Sequence, residues 1–287
     1  MITDKLKIEI QTAVKTALFE DVGSGDATTL GCIPTDLQCT ANFLAKQDCT
    51  VAGLTVAETV LKELDPKSTF EILIGDGSPC KKGDVMAIAK GNARAIITGE
   101  RVALNFLQHL CAIATTTSTF VKETEGTKAE VLDTRKTTPG LRALEKYAVL
   151  CGGGTNHRFG LYDRIMIKDN HRELAAAEGS GGILRSVRSC RMAFPQIEIE
   201  VEADTLEEVQ EALDAEADYI LLDNMSNDEM SQAVSMTGSK CLLEASGGIT
   251  IDRVAEIAKT GVDYISVGAL THSAGSIDIS LEIKPGV

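Results

Sequence analysis

The chain has 287 residues, 44% of them hydrophobic and 24% charged, a balance typical of globular proteins with a buried core. Its formal net charge of −14 argues against nucleic-acid or acidic-membrane partners, because such partners favour a surplus of positive charge. No apolar run approaches the roughly 18 residues that cross a bilayer, so we expect no membrane partner.

Cysteine usage bears on the cellular compartment. The eight cysteines are scattered without a C-x-x-C pair, a spacing that predicts neither a zinc site nor a disulfide framework. We expect reduced, mostly buried cysteines in a cytoplasmic protein.

The first part of the chain mixes helices with antiparallel strands. Helical spacing of apolar residues covers residues 4–19, 54–64 and about 93–122. Between them, "CTANFLAKQDCTVAG" alternates like a pair of strands, and "FEILIGDGSPCKKGDVMAIAKG" predicts strand, turn, strand. Asp26 in "GSGDATT" is expected to hydrogen-bond nearby amides. We predict an N-terminal α+β open-sandwich domain over residues 1–112.

From about Ala129 a βα unit repeats. Apolar runs that end in polar residues occur at "AEVLDT" (129–134), "RIMIKDN" (164–170), "IEIEVEA" (197–203), "DYILLDN" (218–224), "KCLLEASGG" (240–248) and "DYISVGAL" (263–270). Helix-like segments with Asp, Ser or Thr caps separate the later runs. This pattern predicts a parallel sheet, as an incomplete (β/α) barrel or a doubly wound sheet.

We favour the barrel for residues 113–287, because its strand ends converge on one mouth and most runs have polar tips, among them Glu244 with Ser246. In a doubly wound sheet only some tips would share a site. The sequence leaves open whether "THSAGSIDISLEI" closes the barrel or returns to the first domain.

One stretch is basic in this acidic chain. Residues 133–170 hold seven Lys or Arg against four Asp or Glu. The cations expected at the mouth, together with a neighbouring histidine, are Arg135, Lys136, His157, Arg158 and Lys168. Arginine forks suit carboxylate or phosphate, and "CGGG" before the histidine is expected to let amides approach a ligand. We expect Arg142, Lys146 and Arg164 to be ordinary solvated cations.

Two acids and two glycine loops complete the predicted site. Glu202 and Asp223 end adjacent strands, where they suit Mg²⁺ or sugar hydroxyls, or else neutralise the lysines. Glu200 has the parity of Glu202 and is expected deeper on the same face. The loops in "EASGGIT" and "SVGAL" follow the last two runs, as phosphate-binding loops of barrels do, although simple tight turns also fit.

The chain resembles the quinolinate phosphoribosyltransferase family. The likeness runs almost end to end and is carried by "DTRKTTPGLRALEKYAVLCGGGTNHRFGLYDRIMIKDNH", "EDVGSGDATT", "ARAIITGERVALNFLQHL", "EVEADTLEEV", "YILLDN", "LEASGGIT" and "DYISVGALTHS". It implies transfer of a phosphoribosyl group from phosphoribosyl pyrophosphate to quinolinate with loss of CO₂, in the synthesis of NAD. It also implies Mg²⁺ as cofactor and a homodimer or a multiple of dimers.

The resemblance also implies residue roles. Arg101 matches an arginine that reaches the neighbouring subunit's site. Substrate contacts are implied for Thr134, Arg135, Lys136, His157, Arg158, Lys168, Glu202, Asp223, Ser246, Gly247, Gly248, Val267, Gly268 and Ala269. Catalytic roles are implied for Lys136, Lys168, Glu202 and Asp223, the last two also holding metal directly or through substrate or water. The rival interpretations are a nicotinate-specific enzyme, a paralogue linked to molybdenum transport, and a non-catalytic binder of phosphorylated metabolites.

Overall fold

The computed structural model describes residues 3–176 and 181–285. The helices are α1 (Asp4–Val22), α2 (Ala27–Cys32), α3 (Leu54–Leu64), α4 (Ala93–Lys122), α5 (Arg142–Cys151), α6 (Asp169–Ala176), α7 (Gly182–Ala193), α8 (Leu206–Asp214), α9 (Asn227–Thr237), α10 (Ile251–Lys259) and α11 (Ala269–His272). The strands are β1 (Gln38–Ala45), β2 (Cys49–Thr50), β3 (Thr69–Ile72), β4 (Pro79–Cys80), β5 (Val85–Asn92), β6 (Glu130–Leu132), β7 (Ile165–Ile167), β8 (Ile199–Ala203), β9 (Tyr219–Asp223), β10 (Leu242–Ser246), β11 (Tyr264–Ser266) and β12 (Ile279–Pro285).

These elements form two compact units. The first unit contains residues 1–118, 137–153 and 269–287, and the second contains residues 119–136 and 154–268. The chain therefore passes between the units four times, whereas the predicted ranges 1–112 and 113–287, with a possible return of the C-terminal segment, allow two passages at most. Within the described residues, no helix combines the length and apolar character needed to cross a membrane.

The first unit is built on a four-stranded antiparallel sheet with strand order β12-β1-β5-β3. Alternate residues of β1 are buried, and Phe43 contacts Phe70 of β3 at 5.5 Å between ring centroids. Helix α1 buries residues at a spacing of four, so that one face packs inward: Ile10, Val14 and Leu18. The predicted α+β architecture of this part is confirmed.

The C-terminal strand returns to the first unit. β12 pairs antiparallel with β1, with Leu281 opposite Phe43. The sequence left this choice open, and the return is the alternative observed. The predicted strand pair in "CTANFLAKQDCTVAG" is wrong in its pairing, because β2 pairs with β4 and β1 pairs with β5 and β12.

The second unit contains a six-stranded parallel sheet with strand order β6-β11-β10-β9-β8-β7. In its register Glu202 lies beside Leu221, and Asp223 lies beside Ser246. Because residues two apart on a strand share a face, Glu202, Asp223 and Ser246 point to the same side of the sheet. Thr205 and Ser226 cap the helices after β8 and β9, as their sequences predict.

Candidate active site

A short segment joins the two edges of the parallel sheet. Thr155 forms a parallel bridge with Leu132 of β6, and its amide donates to Val131 O at 2.8 Å. Three residues on, the Arg158 guanidinium donates to Arg164 O at 3.0 Å, next to β7. Because β6 and β7 are the opposite edge strands, this closing segment makes the sheet an incomplete barrel, as predicted. The carboxyl ends of its strands therefore surround one mouth.

Two arginines of the second unit lie close enough for their charges to interact. Arg135 follows β6, and Arg158 belongs to the closing segment. Burial lowers the pKa of Arg158, and the nearby positive charge of Arg135 also lowers it. Lys136 is exposed, and its amide donates to Thr134 Oγ1 at 3.0 Å. Cations held this close together favour a bound anion.

One lysine and two carboxylates lie at the next strand ends. Lys168, which follows β7, forms an ion pair with Glu202 of β8. Burial raises the pKa of Asp223, and the negative charges of Glu202 and Asp204 raise it as well. The ion pair fits the expectation that an acid neutralises a lysine, while oxygen donors crowded in this way also suit a hard divalent cation such as Mg²⁺.

Asn224 orients Asp223, a role that the sequence analysis missed. Its side-chain amide donates to Asp223 Oδ2 at 2.8 Å, and its backbone amide donates to Ser246 O at 3.0 Å. Asn224 has a φ of +56°, a conformation that asparagine tolerates better than most residues. Gly247 has a φ of +92°, and a Cβ there would lie 2.2 Å from Asn224 Oδ1. Close packing on Asn224 therefore requires glycine at position 247.

The two predicted phosphate loops both belong to the mouth-forming strands. Gly248 is exposed with a φ of +57° at the start of the turn into α10. The guanidinium of Arg253, on the first turn of α10, donates to Gly248 O at 3.3 Å. In the second loop the Val267 amide donates to Leu132 O at 2.9 Å, which ties it to β6. Arg253 adds a cation that the sequence analysis did not consider, although its place just after a Gly-Gly turn was a usable signal.

A buried ion cluster lies inside the sheet. Glu200 and Glu244 have no exposed surface, and each has a carboxylate oxygen 3.2 Å from His157 Nε2. Burial and the charge of Glu244 raise the pKa of Glu200 to about 7. Burial alone would raise the pKa of Glu244, but interactions with His157 and with the hydroxyl of Ser266 bring it below its ordinary value.

The hydrogen bonds of His157 bear on its protonation. Its Nδ1 accepts the Arg158 amide at 2.6 Å, which favours a ring with its proton on Nε2, facing Glu200 and Glu244. Burial lowers the pKa of His157, yet the two carboxylates raise it to about 9. This raised pKa conflicts with the Nδ1 contact, because a second proton, on Nδ1, would face the Arg158 amide hydrogen. The contact favours the singly protonated ring, with the carboxylates holding its proton on Nε2.

The same three side chains are close enough to form a metal site. Their potential ligand atoms all lie within 4.8 Å of one another. A histidine that binds metal through Nε2 donates a proton from Nδ1, whereas here Nδ1 accepts one. We therefore interpret His157, Glu200 and Glu244 as an ion cluster rather than a metal centre.

Several predicted placements need correction. Glu244 was expected at the mouth with Ser246, but its position on β10 is fully buried in the sheet interior. Lys146 is buried and the Arg164 guanidinium lies 3.9 Å from the Tyr219 ring centroid, so neither is a solvated cation. Close packing against α4 explains Gly152, because a Cβ there would lie 2.5 Å from Ala114 O.

The other predicted site residues are divided between the two units. Glu200 lies beneath Glu202, as its parity predicted. The second unit brings together Thr134, Arg135, Lys136, His157, Arg158, Lys168, Glu202, Asp223, Ser246, Gly247, Gly248, Val267 and Gly268. Arg101, exposed on α4, and Ala269, at the start of α11, belong to the first unit.

Comparison with known proteins agrees with this architecture. The profile of the quinolinate phosphoribosyl transferase C-terminal domain matches residues 113–282, and that of the N-terminal domain matches residues 26–111. A Nicotiana tabacum protein, quinolinate phosphoribosyltransferase (decarboxylating) 2b, mitochondrial, is 43% identical over 292 residues, covering 96% of this chain and 82% of that protein. A probable nicotinate-nucleotide pyrophosphorylase (carboxylating) of Bacillus subtilis is 42% identical over 277 residues, covering 96% and 94%.

A solved structure extends the likeness to three dimensions. The nicotinate-nucleotide pyrophosphorylase of Francisella tularensis matches with a TM-score of 0.90 and 38% identity over 96% of each chain. Fold and site together define a two-domain barrel enzyme of the phosphoribosyltransferase class. Within that class, the chain belongs to the quinolinate phosphoribosyltransferase family.

The crowding of Asp223 predicts a gain in stability when its charge is removed. A carboxyl whose pKa is raised by folding costs stability once the pH exceeds its unfolded pKa of 3.8, and the full cost applies above the folded pKa. We expect Asp223→Asn to raise the melting temperature by about 1–3 °C at pH 7, with the gain shrinking as the pH falls towards 3.8. Thermal unfolding of the ligand-free protein across this range measures the effect.

Asp228→Asn is the matched control. Asp228 is exposed in the first turn of α9, where a negative charge favours the helix dipole, so its removal is expected to lower stability slightly. A lower melting temperature for Asp223→Asn at pH 7 would contradict the proposed crowding.

Proposed function

We propose that the chain transfers the phosphoribosyl group of phosphoribosyl pyrophosphate to quinolinate, with loss of CO₂, giving nicotinate mononucleotide and pyrophosphate in NAD biosynthesis. The names of its relatives support this reaction. The observation that carries the proposal is the Lys168–Glu202 ion pair beside Asp223 at the strand ends of the barrel, in the same unit as Arg135 and Arg158, whose charges interact. Such a mouth suits a doubly negative pyridine and an activated sugar.

The arginines are assigned to quinolinate. Its two adjacent carboxylates match the paired N–H donors of guanidinium groups, which bind planar anions at fixed orientation. Thr134 and Lys136 are assigned to the same substrate surface with Arg135 and Arg158. The ring of His157 is buried against Glu200 and Glu244, so it reaches that surface only through the Arg158 backbone. The loops 246–248 and 267–269 are assigned to the phosphates of the second substrate.

The chemistry follows from where charge develops. The pyridine nitrogen is the nucleophile, so no serine or cysteine nucleophile is needed, and positioning of the two substrates is the main task. As pyrophosphate leaves, positive charge grows on the sugar and is stabilised by Glu202 and Asp223. Lys136 and Lys168 stabilise the departing negative charge. After transfer, the positive ring nitrogen stabilises the electron pair that CO₂ leaves on the adjacent ring carbon, and this carbon then takes up a proton from water.

Mg²⁺ is the proposed cofactor. The raised pKa of Asp223, caused by burial and neighbouring acids, describes a pocket in which a divalent cation would relieve repulsion between carboxylates. Glu202 and Asp223 would hold the ion directly or through substrate or water. The ion would supply charge neutralisation of pyrophosphate.

A cytoplasmic location is proposed from the thiols. All eight cysteines are free, and five of them are buried, which fits a reducing compartment.

Substrate choice tests the function. We expect quinolinate to give nicotinate mononucleotide, while nicotinate, with one carboxylate, reacts about 5- to 150-fold less efficiently in kcat/KM, because a partly buried cation left unpaired costs roughly 1–3 kcal/mol. Product formation from each acid with phosphoribosyl pyrophosphate and Mg²⁺ is measured by chromatography. Preference for nicotinate would establish the rival enzyme, and binding of both substrates without turnover would establish a non-catalytic binder.

We further propose that the chain works as a homodimer or a multiple of dimers, with Arg101 completing the neighbouring subunit's site. Arg101→Ala and Lys168→Ala, each inactive alone, are expected to recover about a quarter of full activity when equal amounts are mixed and exchange subunits randomly. The assay follows nicotinate mononucleotide formation after mixing.

Two variants changed in the same subunit's site provide the control for subunit mixing. Lys136→Ala mixed with Lys168→Ala should stay inactive, because both changes affect residues proposed to serve the same subunit's site. If exchange is demonstrated by mass spectrometry and the Arg101→Ala mixture stays inactive, Arg101 does not act across subunits.

A further inference from the structure

Two buried acids have no part in the proposed reaction. Glu200 and Glu244, the interior acids, lie on β8 and β10 with no exposed surface. A buried carboxylate costs free energy unless charge or hydrogen bonds compensate it. Their presence under a substrate mouth therefore calls for a role.

The interior acids meet at one histidine ring. His157 Nε2 lies 3.2 Å from an oxygen of each acid. Ser266 of β11 donates its hydroxyl to the other oxygen of Glu244, and Arg164 Nη1 lies 3.8 Å from Glu200. The ring, with only 7% of the residue exposed, thus lies within ion-pair distance of acids on two strands.

The other side of the ring holds the closing segment. Nδ1 of His157 accepts the backbone amide of Arg158 at 2.6 Å. The His157 amide donates to Asp133 Oδ1 at 2.8 Å, and Asp133 also accepts from Asn156 Nδ2 at 2.7 Å. The ring therefore connects the interior acids to the backbone from which the Arg158 side chain projects.

Replacing one interior acid by a neutral residue would weaken the contact between the acids and the His157 ring. A neutral amide in place of the Glu244 carboxylate lowers the negative charge that faces Nε2, and the ring becomes free to change tautomer or rotate. Either change removes the acceptor of the Arg158 amide. An arginine displaced by even 1 Å loses the geometry that a bidentate contact requires.

We propose that Glu200 and Glu244 are positioning residues, which act through His157 to fix Arg158 at the mouth. The proposal rests on the proposed function in assigning Arg158 to quinolinate. It predicts that the interior acids govern use of the pyridine substrate and leave use of the sugar substrate largely unchanged.

Glu244→Gln gives the cleaner test, because Glu200 lies only two residues from Glu202. We expect the KM for quinolinate to rise at least tenfold, while the KM for phosphoribosyl pyrophosphate changes less than twofold. In ¹H–¹⁵N spectra of the four histidines, assigned with His157→Gln, we expect the wild-type His157 to carry its proton on Nε2 and its nitrogen shifts to move in Glu244→Gln.

Two further variants make the test decisive. Glu198→Gln makes the same carboxylate-to-amide change at the residue before β8, where the side chain is mostly exposed. It is expected to leave both KM values and the His157 signals unchanged. Glu244→Asp keeps the charge and should show an intermediate KM for quinolinate, which preserves the test if Glu244→Gln does not fold.

Three results would overturn the proposal. These are unchanged His157 shifts in Glu244→Gln, an equal rise in KM for both substrates, and an unprotonated Nε2 in the wild-type protein. A wild-type protein that forms no nicotinate mononucleotide contradicts the proposed function instead, and the nitrogen shifts then still report whether the interior acids control the ring.

Discussion

Six parallel strands leave two edges with unpaired backbone groups, and in the second unit the segment from Thr155 to Arg158 contacts both edges. Thr155 continues the hydrogen-bonding pattern of β6, and Arg158 reaches the backbone beside β7. Because this segment contacts both edges, the sheet is curved and the ends of its strands form a ring. Without it, Arg135 at one edge strand and Lys168 at the other would lie at opposite ends of an open sheet.

In the second unit, positive side chains lie at the mouth and negative side chains lie in the interior of the closed sheet. Cations on the loops, chiefly Arg135 and Arg158, surround the mouth, while Glu200 and Glu244 lie beneath them in the interior. Gathering cations without a ligand is unfavourable, and acids nearby lower that cost without occupying the anion site. The arrangement explains how a chain of net charge −14 can recruit two anionic substrates. Attraction is local and depends on side-chain position rather than on total charge.

The sequence predicted the elements well because their signals are local. The helix over 54–64 and the six strand runs follow from apolar periodicity and caps, and both are confirmed. Contacts between distant segments were not accessible in this way. The pairing of β12 with β1 joins residues more than 230 positions apart, and no local pattern distinguishes it from closure of the barrel.

In the candidate site, too, local features could be predicted from the sequence and contacts between distant segments could not. Polar tips such as Lys168 and Glu202 could be recognised from the ends of apolar runs, and the ion pair between them follows from neighbouring strands. The role of Asn224 could not be recognised, because it depends on a positive φ and on packing against Gly247. The burial of Glu244 was not predicted, because β10 is only five residues long. Ser246 at its end and Glu244 in the interior are only two residues apart.

The central claim is that guanidinium forks at the mouth bind the two carboxylates of quinolinate. Isothermal titration of quinolinate into Arg135→Lys, which keeps the charge and removes the fork, tests it most directly. The claim predicts a dissociation constant at least about tenfold weaker than wild type, or ~1.4 kcal/mol. Arg188→Lys, an exposed change on α7, should bind as wild type does. A dissociation constant within twofold of wild type for Arg135→Lys would contradict the claim.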